Sequence, residues 1–196
     1  MSANPATAAA PQRAQPPAAS AGSGAYAAAV VLAPYTSFAG SLPPVDTAAT
    51  ASPAEVVAGL VEVVAVEGPV LGHRLRSVYA ATGQPAGPRI GGILDAALAS
   101  AVQEGLLIQD DPLGEADVRA RTFRLPDQPI IARELGPRSF DQVPPAELAL
   151  AMEQAASAIG WDDPIAVLGE TMAAYGVRTL GSTNRARLAA VARLAP

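Results

Sequence analysis

The sequence predicts a mainly α-helical fold with a small β hairpin, arranged as tandem winged-helix or helix-turn-helix-like three-helix modules. Three observations point there. Apolar residues recur at helical spacing behind proline-led starts, which is the mark of helices with one buried face. The opening Ser52-Pro-Ala-Glu-Val returns as Pro144-Pro-Ala-Glu-Leu, 92 positions on. Later punctuation repeats at nearly the same offset: Gly83 and Gly176 are 93 apart, Gly87 and Gly181 are 94 apart. Half of the 196 residues are apolar but only 4% are aromatic, so Val, Leu and Ile stripes must supply the core.

Residues 1–50 are rich in Ala, Pro, Ser, Gly and Thr and nearly uncharged. Such a segment buries too little to offset its chain entropy, so a disordered leader is expected. Val30, Val31, Leu32, Tyr35 and Phe38 interrupt it, and an extended strap across the folded part is the alternative they raise.

The first module, residues 52–125, opens at Ser52 as N-cap, with Pro53 at the first helical position and Glu55 closing a capping box. Val56, Leu60, Val63 and Val64 form its buried stripe, and Gly68-Pro69 ends the helix. A second helix is expected over about 70–81, burying Leu71, Leu75 and Tyr79 or Val78, with Gly83 as its stop. A third follows from about Pro88 to Glu104 on the stripe Ile90, Ile93, Leu94, Ala97, Leu98, Ala101 and Val102. Leu106–Gln109 then reads as a strand, Asp110-Asp111-Pro112-Leu113-Gly114 as a turn, and Val118–Arg124 as the returning strand. Alternation would set Arg119 and Arg121 on one face of it, with Phe123 breaking the parity.

Residues 126–143 are a proline-punctuated connector in which Pro129–Ala132 has strand character. The second module, residues 144–196, should hold helices over about 145–159, 164–175 and 183–194, with Asp162 and Asp163 as caps before the middle one. Trp161 reads as a packing plug between helices.

Glu67-Gly-Pro-Val, then Leu75 and Tyr79 ahead of a glycine, then Arg89-Ile90 opening an alanine-rich helix, resembles a domain of unknown function from bacterial proteins. That domain lies at the C-terminal end of superfamily-one DNA/RNA helicase-like proteins. Arg138-Ser-Phe-Asp-Gln-Val-Pro-Pro-Ala-Glu-Leu is similar to its continuation. The resemblance covers about residues 52–196 and implies an accessory module without motor or nuclease activity of its own. It assigns no catalytic residue.

Several chemistries have no support in the residues. Lysine is absent, so no Gly-Lys-Ser/Thr phosphate loop exists. One histidine and no cysteine leave no transition-metal set, and no cofactor motif appears. His73 stands beside Arg74 and Arg76 near a helix start, a surface setting more than a catalytic one. The Asp110-Asp111 and Asp162-Asp163 pairs are accounted for by turn and cap chemistry. No nucleophile motif is present, so an enzyme is not expected. The apolar run Ala25–Ala33 is too short for a membrane span, which needs ~20 residues, and a cytoplasmic protein is the expectation.

Net charge is −5, yet 177–196 carry Arg178, Arg185, Arg187 and Arg193 with no acid. Local basicity of this kind suits contact with a polyanion. The candidate nucleic-acid contacts are Arg185, Arg187 and Arg178, with Arg119 and Arg121 on the hairpin and Arg89 at the start of the third helix. DNA or RNA, a helicase or nuclease protein, or a second copy are the partners considered. The competing function is a protein-interaction or oligomerisation module on the same scaffold, since the third helix offers few charges.

Overall fold

The computed structural model describes residues 30–45, 51–81 and 87–194. Mainly helical, they contain six α-helices and one three-stranded antiparallel sheet. Helix α1, Pro53–Glu67, starts as the sequence requires: the Ser52 hydroxyl accepts from the Glu55 N–H, and the Glu55 carboxylate accepts from the Ser52 N–H. Val56, Val57, Leu60, Val63 and Val64 are all buried. Helices α2, Gly72–Ala81, and α3, Pro88–Gln103, complete this half, and α1 packs chiefly on α3.

Several strand assignments change. Val70–Leu71 is strand β1 and not the start of α2. Gly68-Pro69 ends α1, and the two residues after it pair with Phe123 and Thr122. The hairpin consists of β2, Ile108–Asp110, and β3, Thr122–Arg124, in sheet order β1-β3-β2. Val118–Ala120 is a 3-10 turn, because the Asp117 carboxylate takes the Arg119 N–H and thereby holds the chain out of the ladder. The expected alternation is absent from the shorter strand: Thr122 and Phe123 are both buried, and Phe123 lies wholly in the core. Pro129–Ala132 joins no sheet; Arg133 instead forms an isolated parallel bridge with Ala33.

The other half contains α4, Pro145–Ile159, α5, Pro164–Ala174, and α6, Ser182–Val191, with α4 packed chiefly on α5. Asp163 caps α5 by accepting from the N–H groups of Ile165 and Ala166. Trp161 is not a plug: it is 38% exposed at the α4–α5 corner. The Gly83 stop lies outside the described residues.

There are two hydrophobic clusters, one per half, and residues 30–45 cross both. Where the sequence suggested a disordered leader, this stretch is an extended strap. Val30 is buried with Ala151, Met152 and Ala155 of the second cluster, whereas Leu42 and Val45 are buried with Leu60 and Tyr79 of the first. At the crossing α1 presents Gly59. A Cβ there would meet Pro43 Cδ and the Tyr79 hydroxyl at 2.9 Å each, so any side chain would lift the strap.

Candidate functional site

The six arginines singled out from sequence do not form one surface. Arg119 is exposed but binds Asp117, its Nε 2.6 Å from the carboxylate. That hydrogen bond holds Asp117 down to about 2 and raises the Arg119 guanidinium. Arg121 turns back onto the hairpin, to Asp111 at 3.4 Å and the Glu115 carbonyl at 3.2 Å. Arg187 points inward and donates to the Val143 carbonyl at 2.5 Å; burial lowers its affinity for a proton. Arg89 is exposed at the first turn of α3. Arg178 and Arg185 are exposed on either side of the start of α6, and their guanidinium groups make no hydrogen bond or ion pair among the described residues.

Arg187 reaches a pocket of about 360 Å³ between the two halves, lined also by His73, Glu115, Asp117, Arg119 and Asp141. The His73 ring nitrogen Nδ1 and Gln142 Nε2 are 3.0 Å apart. The Gln142 carbonyl oxygen already accepts the Ser139 N–H, so its amide nitrogen faces the ring and Nδ1 is the acceptor. No group of three or more His, Asp or Glu side chains among the described residues could hold a metal ion.

A second constellation lies deeper, and the sequence reading did not single it out. Glu67, in the last turn of α1, is fully buried. It accepts from Arg74 Nε at 2.8 Å and Nη2 at 2.9 Å, from the Tyr35 hydroxyl at 2.7 Å, and from the Phe38 N–H at 2.8 Å. Burial by itself would raise its proton affinity, but these donors more than offset that and hold the carboxyl below the usual range. Burial, then the bond to Glu67, pushes the Tyr35 hydroxyl up.

On the opposite side Glu147, also fully buried, pairs with Arg133 and with Arg138. Arg133 also donates through Nη1 to the carbonyls of Glu67 and Gly68 and through Nη2 to that of Pro69, at 2.7–2.8 Å, and so caps the C-terminal end of α1. The Arg138 guanidinium stacks over the Tyr35 ring at 4.2 Å. Strap, connector, α1 and α4 therefore meet at one polar joint. All four carboxylate oxygens have at least two donors, so none is left open to a substrate, and the joint reads as architecture. One signal could have exposed it: a glutamate in the last helical turn, where the helix dipole disfavours negative charge, needs a compensating cation.

The remaining unusual surface is α5. Val167 and Thr171 face the core, Leu168, Met172 and Ala174 pack partly against it, and the exposed positions of the helix are Pro164, Ile165, Gly169, Glu170 and Ala173. Glu170 is the one charged side chain among them, and Ile165 is 82% exposed. No protein-family model, curated protein or solved structure matches this chain.

Proposed function

We propose that the chain is a protein-interaction module whose contact surface is the outward face of α5. The observation that carries this reading is the distribution of polarity on that helix. A surface helix normally turns several charged residues to solvent, whereas α5 turns Ile165, Gly169 and Ala173 outward with Glu170 as its one exposed charge. Exposed Trp161 stands just before it, continuing the apolar character. Burying one side chain such as Ile165 is worth about 1.5–3 kcal/mol, a strong incentive for a covering partner. The scaffold supports this use. Helix, strand, two helices and a hairpin, with β3 between β1 and β2, suit a winged helix over residues 52–125. The outer positions of its third helix are Gly92, Ala96 and Ala99, with Arg89 alone charged at the start. The second three-helix unit, residues 144–196, suits a copy that has kept only its helices.

A second reading has its own support. Arg178 and Arg185 flank the start of α6, the third helix of the second unit, and α6 has no side-chain cap on its first N–H groups. Free guanidiniums beside open N–H groups suit contact with nucleic-acid phosphates, as the helicase-associated resemblance implies. Titration of a labelled duplex at about 50 mM salt separates the two. Absence of binding supports the protein-interaction reading. Binding that weakens steeply with salt, and is lost on Arg178→Ala with Arg185→Ala, would replace it with the second.

A further inference from the structure

We propose that the pocket between the two halves binds a small zwitterion, a free α-amino acid whose ammonium group lies between Glu115 and Asp141 and whose carboxylate is taken by Arg187. This site is separate from the outward face of α5 and does not depend on whether that face has a partner. Four elements bring charged side chains to one cavity of about 360 Å³. The start of α2 supplies His73, the hairpin supplies Glu115, Asp117 and Arg119, the 3-10 turn Phe140–Gln142 supplies Asp141, and α6 supplies Arg187. Such a volume lies at the small end of the range for small-molecule pockets. Asp117 and Arg119 bind each other. The Glu115 and Asp141 carboxylates, in contrast, make no hydrogen bond or ion pair among the described residues. Glu115 is held by its backbone instead: its N–H donates to Asp111 at 2.7 Å, and its carbonyl accepts from Arg121 at 3.2 Å. The chain beneath the carboxylate is therefore fixed while the carboxylate itself is open.

Arg187 supplies the opposite charge. It is half-buried, and only its Nη2 is committed, to the Val143 carbonyl. Burial weakens its hold on a proton, and Asp141 and Glu115 are the acids close enough to oppose that. A ligand carboxylate would give the guanidinium a direct counter-charge through two parallel N–H···O bonds. His73 adds a donor: Nδ1 accepts from Gln142, so the neutral ring carries its proton on Nε2. These charges select the ligand. A metal ion does not fit, because no three His, Asp or Glu side chains among the described residues could hold one. A phosphate or a simple carboxylic acid would meet Glu115 and Asp141 with like charge, and an amine alone would meet Arg187. A molecule carrying both charges close together satisfies all three.

His73 is the one histidine of the chain, so its imidazole protons give an unambiguous NMR signal at the pocket. L-amino acids added one at a time to the full chain at fixed pH should shift that signal saturably for at least one of them, with a Kd of about 1 mM or tighter. The decarboxylated amine and the deaminated acid of the same molecule should each bind about ten times more weakly. Glu115→Gln with Asp141→Asn removes the ammonium site. That pair should weaken the amino acid about tenfold and strengthen the deaminated acid, a gain that a damaged fold cannot produce. Arg187→Gln should do the reverse and favour the amine. Because the two carboxylates carry no internal bond, their variant decides the matter even if Arg187→Gln fails to fold. Absence of a saturable shift with any amino acid up to about 10 mM, or equal binding of the one-charge analogues, overturns the assignment. So does a shift that the Glu115 and Asp141 variant leaves unchanged.

Discussion

Glu55 and Glu147 occupy the same place in the same five-residue motif, yet the protein uses them in opposite ways. Glu55 is exposed and loops back to its own helix start, where the Ser52 N–H and hydroxyl hold its carboxyl below the usual range. Glu147 is fully buried between Arg133 and Arg138. One residue accounts for the divergence. Ser52 supplies the hydroxyl and the N–H that a capping box needs; its counterpart Pro144 has neither. Without a local partner, the second glutamate turns inward and becomes the anion around which the connector folds. A repeated motif thus marks a helix start in both halves, but the residue before it decides whether the carboxylate serves the helix or the tertiary structure.

The comparison breaks most visibly at Glu147. Glu147→Ala leaves two buried guanidiniums without their anion and should destabilise the chain by roughly 3–5 kcal/mol, read as a lower urea midpoint. Glu55→Ala should barely move that midpoint. If the two shifts are equal, the contrast drawn between the halves is wrong.

A second break concerns the strap. Gly59→Val places side-chain atoms where Pro43 and Tyr79 already stand. A loss of about 1–3 kcal/mol is expected from such overpacking, together with faster proteolysis within residues 36–41. Ala in place of Gly at an exposed helical site, Gly169, should do neither.

The local cap comes next. Ser52→Ala removes the hydroxyl that holds the Glu55 N–H and should cost about 1 kcal/mol, measurable by thermal melting. Pro144→Ser tests the converse. It offers Glu147 the local hydroxyl and N–H that Ser52 gives Glu55, yet the buried arginines should keep the carboxylate, leaving the melting temperature nearly unchanged.

The gentlest probe is pH. Glu67 has a depressed proton affinity in the folded chain, so its contribution is present above the unfolded carboxyl value of about 4.3 and fades as pH falls through the lower folded value. Stability measured by urea between pH 7 and pH 3 should therefore fall at the acid end. Glu67→Gln should flatten part of that fall; an unchanged slope would show that other carboxylates govern it.

Much of the helical layout was legible because its signals are local. Ser52, Pro53 and Glu55 mark α1, Asp163 and Pro164 mark α5, and the stripe from Ile90 to Ala101 needs only the period of a helix. Elements depending on distant partners were not. Val70 and Leu71 are strand only because Phe123 and Thr122 lie beside them. Val118–Ala120 looked extended until the Asp117 side chain took a backbone N–H. Of the proposed nucleic-acid contacts, Arg119, Arg121 and Arg187 have internal bonds that composition could not reveal, whereas Arg178 and Arg185 are open. The apolar outer face of α5 could have been seen as a helix with too few polar residues, had its buried side been known.

By itself, then, the sequence determined where most of the helices begin and which faces they bury. Those properties follow from capping and periodicity, interactions spanning only a few residues. Only the tertiary structure decided that Tyr35, Glu67, Arg133, Arg138 and Glu147 converge, that the strap joins both cores, and which arginines stay free. The physical reason is distance: Tyr35 and Glu67 are 32 positions apart, and Arg133 reaches the Glu67 carbonyl across 66. An ionised group can be buried only once the fold has brought its counter-charge to it.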